Sequence, residues 1–347
     1  MTKAAIPVAL IAAVAAGAAG AACSIWAALD DPYKTELPGF RDAGDSAQDA
    51  ADDAGSRDAA VAGRRVLDAG FVPYAIAVRG DTVYAADPQG GVHVAYDASA
   101  AFMPFWTGDG GDTFSLQTNG IAATAAGVFW TVSGGIHYCS VDGGACGFFP
   151  SNAPRDIAAG SSVVAWIDNS GVRTCPAGLA GCVPTTIPGS RGALSLAVIP
   201  TGGVAWTDGG SAIQLDEGAA TRSIPVRFDV AAVAVDAVSG NLSWVGQGGV
   251  GYVRLDGGGA DSPLTSTTKP IELFARSGVA YWSLRGNSGI VLYCRVDADA
   301  GCAPKELVNG LTPAPTTNDG IAATSRDVLA VVSSNLTSEL FVWRLTP

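Results

Sequence analysis

Short apolar runs and turn-forming clusters alternate along the chain in one recurring order. A small-apolar strand is followed by a turn, a strand of the Val-x-Trp kind, a Gly turn, and a third strand that ends in Asp-Gly or Cys. The second element recurs as Val83-Tyr84-Ala85, Val128-Phe129-Trp130, Val164-Ala165-Trp166, Val204-Ala205-Trp206, Leu242-Ser243-Trp244, Ala280-Tyr281-Trp282 and Val328-Leu329-Ala330, which is seven copies. From Tyr84 to Trp282 successive anchors lie 36 to 46 residues apart, the length of a four-stranded unit. Small-apolar strands such as Ile76-Ala77-Val78, Ile121-Ala122-Ala123, Ile157-Ala158-Ala159 and Ile321-Ala322-Ala323 precede these anchors. Runs such as Val128-Phe129-Trp130 are apolar on both sides, as in a sheet covered on both faces. Gly90-Gly91, Gly134-Gly135, Gly209-Gly210 and Gly248-Gly249 supply the positive φ of tight hairpins.

This pattern predicts an all-β chain, a seven-bladed β-propeller over residues 64–347, with small side chains on innermost strands that crowd the axis. The last repeat stops at Val342-Trp343-Arg344-Leu345 without a fourth strand. Arg65-Val66-Leu67 is expected to supply it, closing the ring and removing two open sheet edges. Six blades with an irregular end and an open β-sandwich are the alternatives.

The first 22 residues have Lys3, an apolar run from Ala4 to Ala22 and small residues ending at Cys23, the pattern of an export signal peptide. Gly20-Ala21-Ala22-Cys23 resembles the lipobox of bacterial lipoproteins, with Gly20 where that family usually carries Leu. The resemblance implies diacylation of Cys23 and, with Ser24 beside it, passage to the outer membrane; otherwise the protein is periplasmic. An ordinary cleaved signal and an uncleaved anchor stay open. Residues 23–63 read as an acidic Ala/Asp-rich linker: from Ser24 to Gly63 there are nine carboxylates against Lys34, Arg41 and Arg57, half of the net charge of −12. Its composition buries too little apolar area to offset ordering entropy, so it is expected to be a disordered tether. The acidic balance excludes nucleic acid as a partner class.

With Cys23 set aside, six cysteines form close pairs: Cys139 with Cys146, Cys175 with Cys182, and Cys294 with Cys302. Each pair brackets a turn-rich segment, which places the thiols across a hairpin in an oxidising compartment. Zinc binding is the weaker alternative, because metal pairs favour shorter spacing and both histidines lie elsewhere.

The repeats resemble the YWTD propellers and, more broadly, SMP-30 and NHL-type secreted propellers, from about Val66 to Pro347. Trp206-Thr207-Asp208 carries three motif residues in a row; Trp130-Thr131, Trp166-Ile167-Asp168 and Tyr281-Trp282 are partial, and the Cys pairs depart from the YWTD pattern. The SMP-30 resemblance implies a divalent cation held by Glu, Asn and Asp. Glu272, Asp156, Asp229 and Asp319 are thin candidates, and Asp109-Gly110-Gly111-Asp112 reads first as a solvated turn. His93 and His137 fall on third strands, where packing or surface roles are expected, and no catalytic residue, metal site or cofactor is assigned.

Several connectors into innermost strands carry a basic residue: Arg155, Arg191, Arg227 and Lys269. They form the candidate ligand patch, a cationic surface for an anionic ligand or partner carboxylates. The competing reading pairs them with Asp156, Asp229 and Glu272 as structural ion pairs. Propellers host many unrelated functions. The expected function is a monomeric, non-enzymatic cell-envelope module. It is membrane-tethered through its lipid and engages a protein or glycan through the connectors and the insert from Phe102 to Asn119, where Phe105 and Trp106 are expected to be exposed. A metal-dependent lactonase- or lyase-like enzyme is the alternative.

Overall fold

The computed structural model describes residues 61–345, apart from 68, 88–89, 99, 108–119, 179–181, 219, 237, 256–260, 266–269, 285–290, 297–302, 309–316, 325–326 and 334–337. The chain divides into two compact units, 1–56 and 57–347, and every described residue belongs to the second. The signal peptide, Cys23 and nearly all of the linker therefore lie outside the described residues.

Seven four-stranded antiparallel sheets form among the described residues. We number the blades 1 to 7 by their innermost strands: Ala75–Arg79, Ile121–Ala123, Asp156–Ala159, Ser195–Val198, Val230–Val235, Pro270–Arg276 and Thr317–Ala323. Each innermost strand touches that of the next blade, and the seventh touches the first, so the ring is closed. The expected seven-bladed architecture is the one that forms.

Closure uses the N-terminal strand Val61–Leu67. It pairs antiparallel with Ser338–Leu345 and supplies the fourth strand of blade 7, with Arg65 opposite Val342 and Val66 opposite Phe341. The strand starts at Val61, three residues ahead of the Arg64 boundary that composition suggests.

The core lies between blades. Trp130, Trp166, Trp206, Trp244 and Trp282 are each essentially buried at the centre of a second strand. Leu242 and Trp244 of blade 5 pack with Ile213 and Leu215 of blade 4, and Phe129 of blade 2 packs with Trp166 of blade 3. A sheet covered on both faces must bury both faces, which is why these strands lack alternation.

Strand direction gives the ring two distinct faces. Innermost strands start, and second-to-third hairpins turn, on what we call the connector face. First-to-second turns and third-to-fourth hairpins lie on the opposite face.

Candidate functional site

The residue that leads into each innermost strand is fixed by the strand beside it. In blade 3 the Arg155 N–H donates to the Ile167 carbonyl at 2.8 Å, and in blade 4 the Leu194 N–H donates to the Thr207 carbonyl at 2.7 Å. In blade 5 the carbonyl of Asp229 accepts the Gln247 N–H at 3.1 Å. Asp156 then pairs with Ile167 and Ser195 with Thr207, each one residue past its tryptophan, so Arg155 and Leu194 occupy the same register position, whereas in blade 5 a bulge between Val230 and Ala232 puts Ala232 opposite Val245 and leaves Asp229 ahead of the matching position.

Arg191 and Arg227 share this face but not this position. Arg191 sits three residues ahead of Leu194, in the turn where the Ala193 N–H donates to the Ser190 carbonyl at 3.2 Å. Its backbone nitrogen would lie 3.1 Å from a Cβ on Gly171, so it passes over the second-to-third hairpin of blade 3. Arg227 follows Val226, whose N–H donates to the Ser211 carbonyl at 3.0 Å beside the matching hairpin of blade 4. Arg155, Arg191 and Arg227 are exposed, and Lys269 lies outside the described residues.

Of the ion pairs considered for these connectors, Asp156 forms a different contact. It turns across the blade boundary: one carboxylate oxygen accepts the Leu196 N–H of blade 4 at 3.1 Å and the other accepts its neighbour Ile157 N–H at 2.8 Å. Burial pushes this carboxyl above its ordinary value, against the pull of the Leu196 and Ile157 N–H groups and the Ser195 hydroxyl. Among the described residues neither Arg155 nor Arg191 has an ion-pair partner, and Asp229, also exposed, has none. Glu272 is half-buried, Asp109 and Asp112 lie outside the described residues, and no group of three or more His, Cys, Asp or Glu side chains comes together among those that are described.

Both histidines are on third strands. His93 Nε2 lies 2.9 Å from an Asp87 carboxylate oxygen, and its ring stacks on Phe71 with centroids 3.7 Å apart. His137 is buried, with centroids 4.9 Å from both Trp106 and Phe148. The expected exposure of Phe105 and Trp106 is corrected: both are partly buried, Phe105 edge-on to Tyr84 at 5.4 Å and Trp106 tilted against Trp130 at 5.2 Å. They sit on an outermost strand, but blade 2 docks onto them.

Two disulfides close hairpins on the opposite face. Cys139 and Cys146 are direct cross-strand partners with Cα atoms 4.0 Å apart, and Cys175 joins Cys182 with Cα atoms 5.9 Å apart. Cys294 is disulfide-bonded, while Cys302 lies outside the described residues. Such bonds fit an oxidising, exported environment. A cleft of about 630 Å³ beside Cys182 is lined by Ser162, Thr174, Val183 and Thr201 and includes no charged side chain.

The geometry has counterparts among solved structures. The β-propeller domain of Cps50 (Swd1) from Myceliophteria thermophila is similar with a TM-score of 0.62 and 8% identity, covering 81% of this chain and 98% of that one. The fold is a β-propeller. Virginiamycin B lyase from Staphylococcus aureus is similar with a TM-score of 0.58 and 10% identity, covering 82% of this chain and 99% of that one. YCF48 bound to D1 peptide gives 0.57 and 10%, covering 82% of this chain and 95% of that one. No protein-family model and no curated protein matches the chain. At these identities the propeller's likeness to its counterparts is one of fold.

Two features of the site escaped the sequence pattern. Leu194 is 48% exposed, its side chain resting over Gly209, and Asp229 is an exposed acid of blade 5 with no ion-pair partner among the described residues. The signal for both is their place immediately before an innermost strand, which is readable only once strand register is known.

Proposed function

We propose that this chain is an exported cell-envelope lipoprotein whose propeller is a non-enzymatic binding module, engaging a protein or glycan through its connector face. Residues 1–22 act as the signal peptide, Cys23 carries the lipid that anchors the protein to the outer membrane, and 23–63 is the tether. Cys302 completes the third disulfide with Cys294. The observation that carries the binding assignment is that Arg155 and Arg191 stand exposed and, among the described residues, without carboxylate partners on a chain of net charge −12. Exposed guanidinium groups without a carboxylate partner suit carboxylate or sulfate oxygens, which they bind through two parallel N–H donors. We include Arg227 and, by its place in the sequence, Lys269 in the same patch. YCF48 bound to a D1 peptide supports a peptide-sized partner for this fold.

Thermal unfolding of the full-length protein, with polyglutamate and a sulfated oligosaccharide as separate probes, tests the reading. A ligand of the native state raises apparent stability by mass action. At least one anionic probe is expected to raise the midpoint, with the shift abolished in R155E/R191E. An unchanged shift in that variant overturns the assignment. A shift with Ca²⁺ or Mn²⁺ that EDTA reverses favours the lactonase- or lyase-like reading.

A further inference from the structure

The two faces of the ring differ in how far apolar side chains stand into solvent. Among the described residues three large apolar side chains are more than half exposed: Tyr96 at 63%, Val183 at 83% and Val238 at 78%. Tyr96 and Val183 lie in the third-to-fourth hairpins of blades 1 and 3, and Val238 in the first-to-second turn of blade 5, so all three are on the face opposite the connectors. On the connector face Val72 and Leu194 each reach only 48%. A single exposed apolar residue is ordinary. These three differ because alternate blades of a closed ring carry them on one side, so a flat surface can meet them together, face on.

The chain enters the propeller on this same face. Val61 pairs with Leu345, the last residue of the third strand of blade 7, so Val61 stands where the other blades have a third-to-fourth hairpin. The 37 residues from Ser24 to Ala60 separate Cys23 from that point.

We infer that the face opposite the connectors rests on a zwitterionic lipid surface, with Tyr96, Val183 and Val238 entering the headgroup region and the connector face turned outward. This rests on the reading of Cys23 as a lipid anchor and names the face that meets the membrane. An anchor joined to the domain through Val61 holds this face near the bilayer at high effective concentration, where side chains that bind weakly alone act together. Tyrosine suits the boundary between headgroups and acyl chains, because its ring is apolar and its hydroxyl polar. The cleft beside Val183 has no charged side chain in its lining, so covering it strands no charge. Exposed acids (Asp97, Asp142, Glu217) and exposed bases (Arg79, Arg254, Arg295) both stand at strand ends on this face. Mixed signs select neither anionic nor cationic lipid, which is why a zwitterionic surface is the class that fits.

The test uses the full chain as exported, reconstituted with phosphatidylcholine vesicles that carry nitroxide-labelled headgroups. A small fluorescent amino acid replaces Val183, Val238 or Leu194 in turn. The probes at 183 and 238 are expected to lose emission to the nitroxide and the probe at 194 to keep it, with or without added phosphatidylglycerol. Y96S/V238S should restore emission at 183 while retaining the wild-type unfolding midpoint. The inference is overturned by equal quenching at 194 and 183, by quenching at neither 183 nor 238, by quenching only with phosphatidylglycerol, or by quenching at 183 that Y96S/V238S leaves unchanged. Mass spectrometry of the same preparation reads acylation at Cys23 separately. An acylated protein without quenching at 183 and 238 keeps its anchor and loses only the docked face. Quenching there in a protein without the acyl chain upholds the lipid contact and refutes the anchor.

Discussion

The Gly278 N–H of blade 6 donates to the Asp236 carboxylate of blade 5 at 2.6 Å. The Ser277 N–H donates to the other oxygen at 3.0 Å, and the same carboxylate accepts the Val238 N–H and the Ser239 hydroxyl of its own turn. Ser277 and Gly278 both have positive φ, 52° and 77°, so two successive N–H groups point into one concavity and the neighbouring blade fills it with an anion. The blades are therefore joined by directed polar contacts as well as by apolar packing.

Burial alone would raise the Asp236 carboxyl, but the N–H groups of Gly278, Val238 and Ser277 and the Ser239 hydroxyl outweigh it and hold the group below its ordinary value. A depressed folded-state value means the stabilisation is present above the ordinary carboxylate range and lost as pH falls through the folded value. Asp236→Asn is expected to cost about 1–3 kcal/mol at neutral pH, with the difference from wild type shrinking below about pH 4. Denaturant unfolding of both proteins across pH 3–7 checks this, and a pH-independent difference contradicts it.

Asp156 has the opposite sign. Its folded value is raised by burial, so its contribution is greatest below the ordinary carboxylate range and is lost as pH rises through the folded value. Asp156→Asn should therefore flatten the decline in stability on going from acid to neutral pH. Parallel wild-type and variant stability curves would show that the carboxylate is better solvated than its contact with Leu196 indicates.

The left-handed pair also separates two neighbouring glycine substitutions. Gly278→Ala places a Cβ at φ 77° and should cost about 1–2 kcal/mol, whereas Ser277→Gly relieves a left-handed serine and should be neutral or slightly stabilising. Unfolding midpoints of the two variants provide the comparison.

Reduction should act on the face opposite the connectors. Each closed disulfide loop of about eight residues is worth roughly 2.5 kcal/mol by the chain-entropy model. Cys175→Ser/Cys182→Ser should lower the unfolding midpoint while leaving polyanion binding at Arg155 and Arg191 unchanged. Loss of that binding would mean the two faces are coupled.

Much of the ring was legible because packing forces it into the sequence. A second strand enclosed by two blades takes a large apolar residue at its centre, which is why Trp130, Trp166, Trp206, Trp244 and Trp282 mark the period. The strand around Arg65 was readable from the missing fourth strand of the last repeat. The clasp from Asp236 to Gly278 was not, since its partners are 42 residues apart and meet only when blades dock. The connector arginines were legible as a face but not as positions. Connectors differ in how they cross the hairpins, so Arg155 lands immediately before an innermost strand and Arg191 four residues ahead of one.

The most direct test of the connector face as the binding surface is site-specific photo-crosslinking in cells, with the photoreactive residue at Leu194 or, on the opposite face, at Val183. Both positions are exposed, at 48% and 83%. A discrete adduct is predicted at position 194, lost when Arg155 and Arg191 are reversed in charge, with none at 183. Adducts at 183 and none at 194, or adducts at 194 that persist in R155E/R191E, would contradict the assignment.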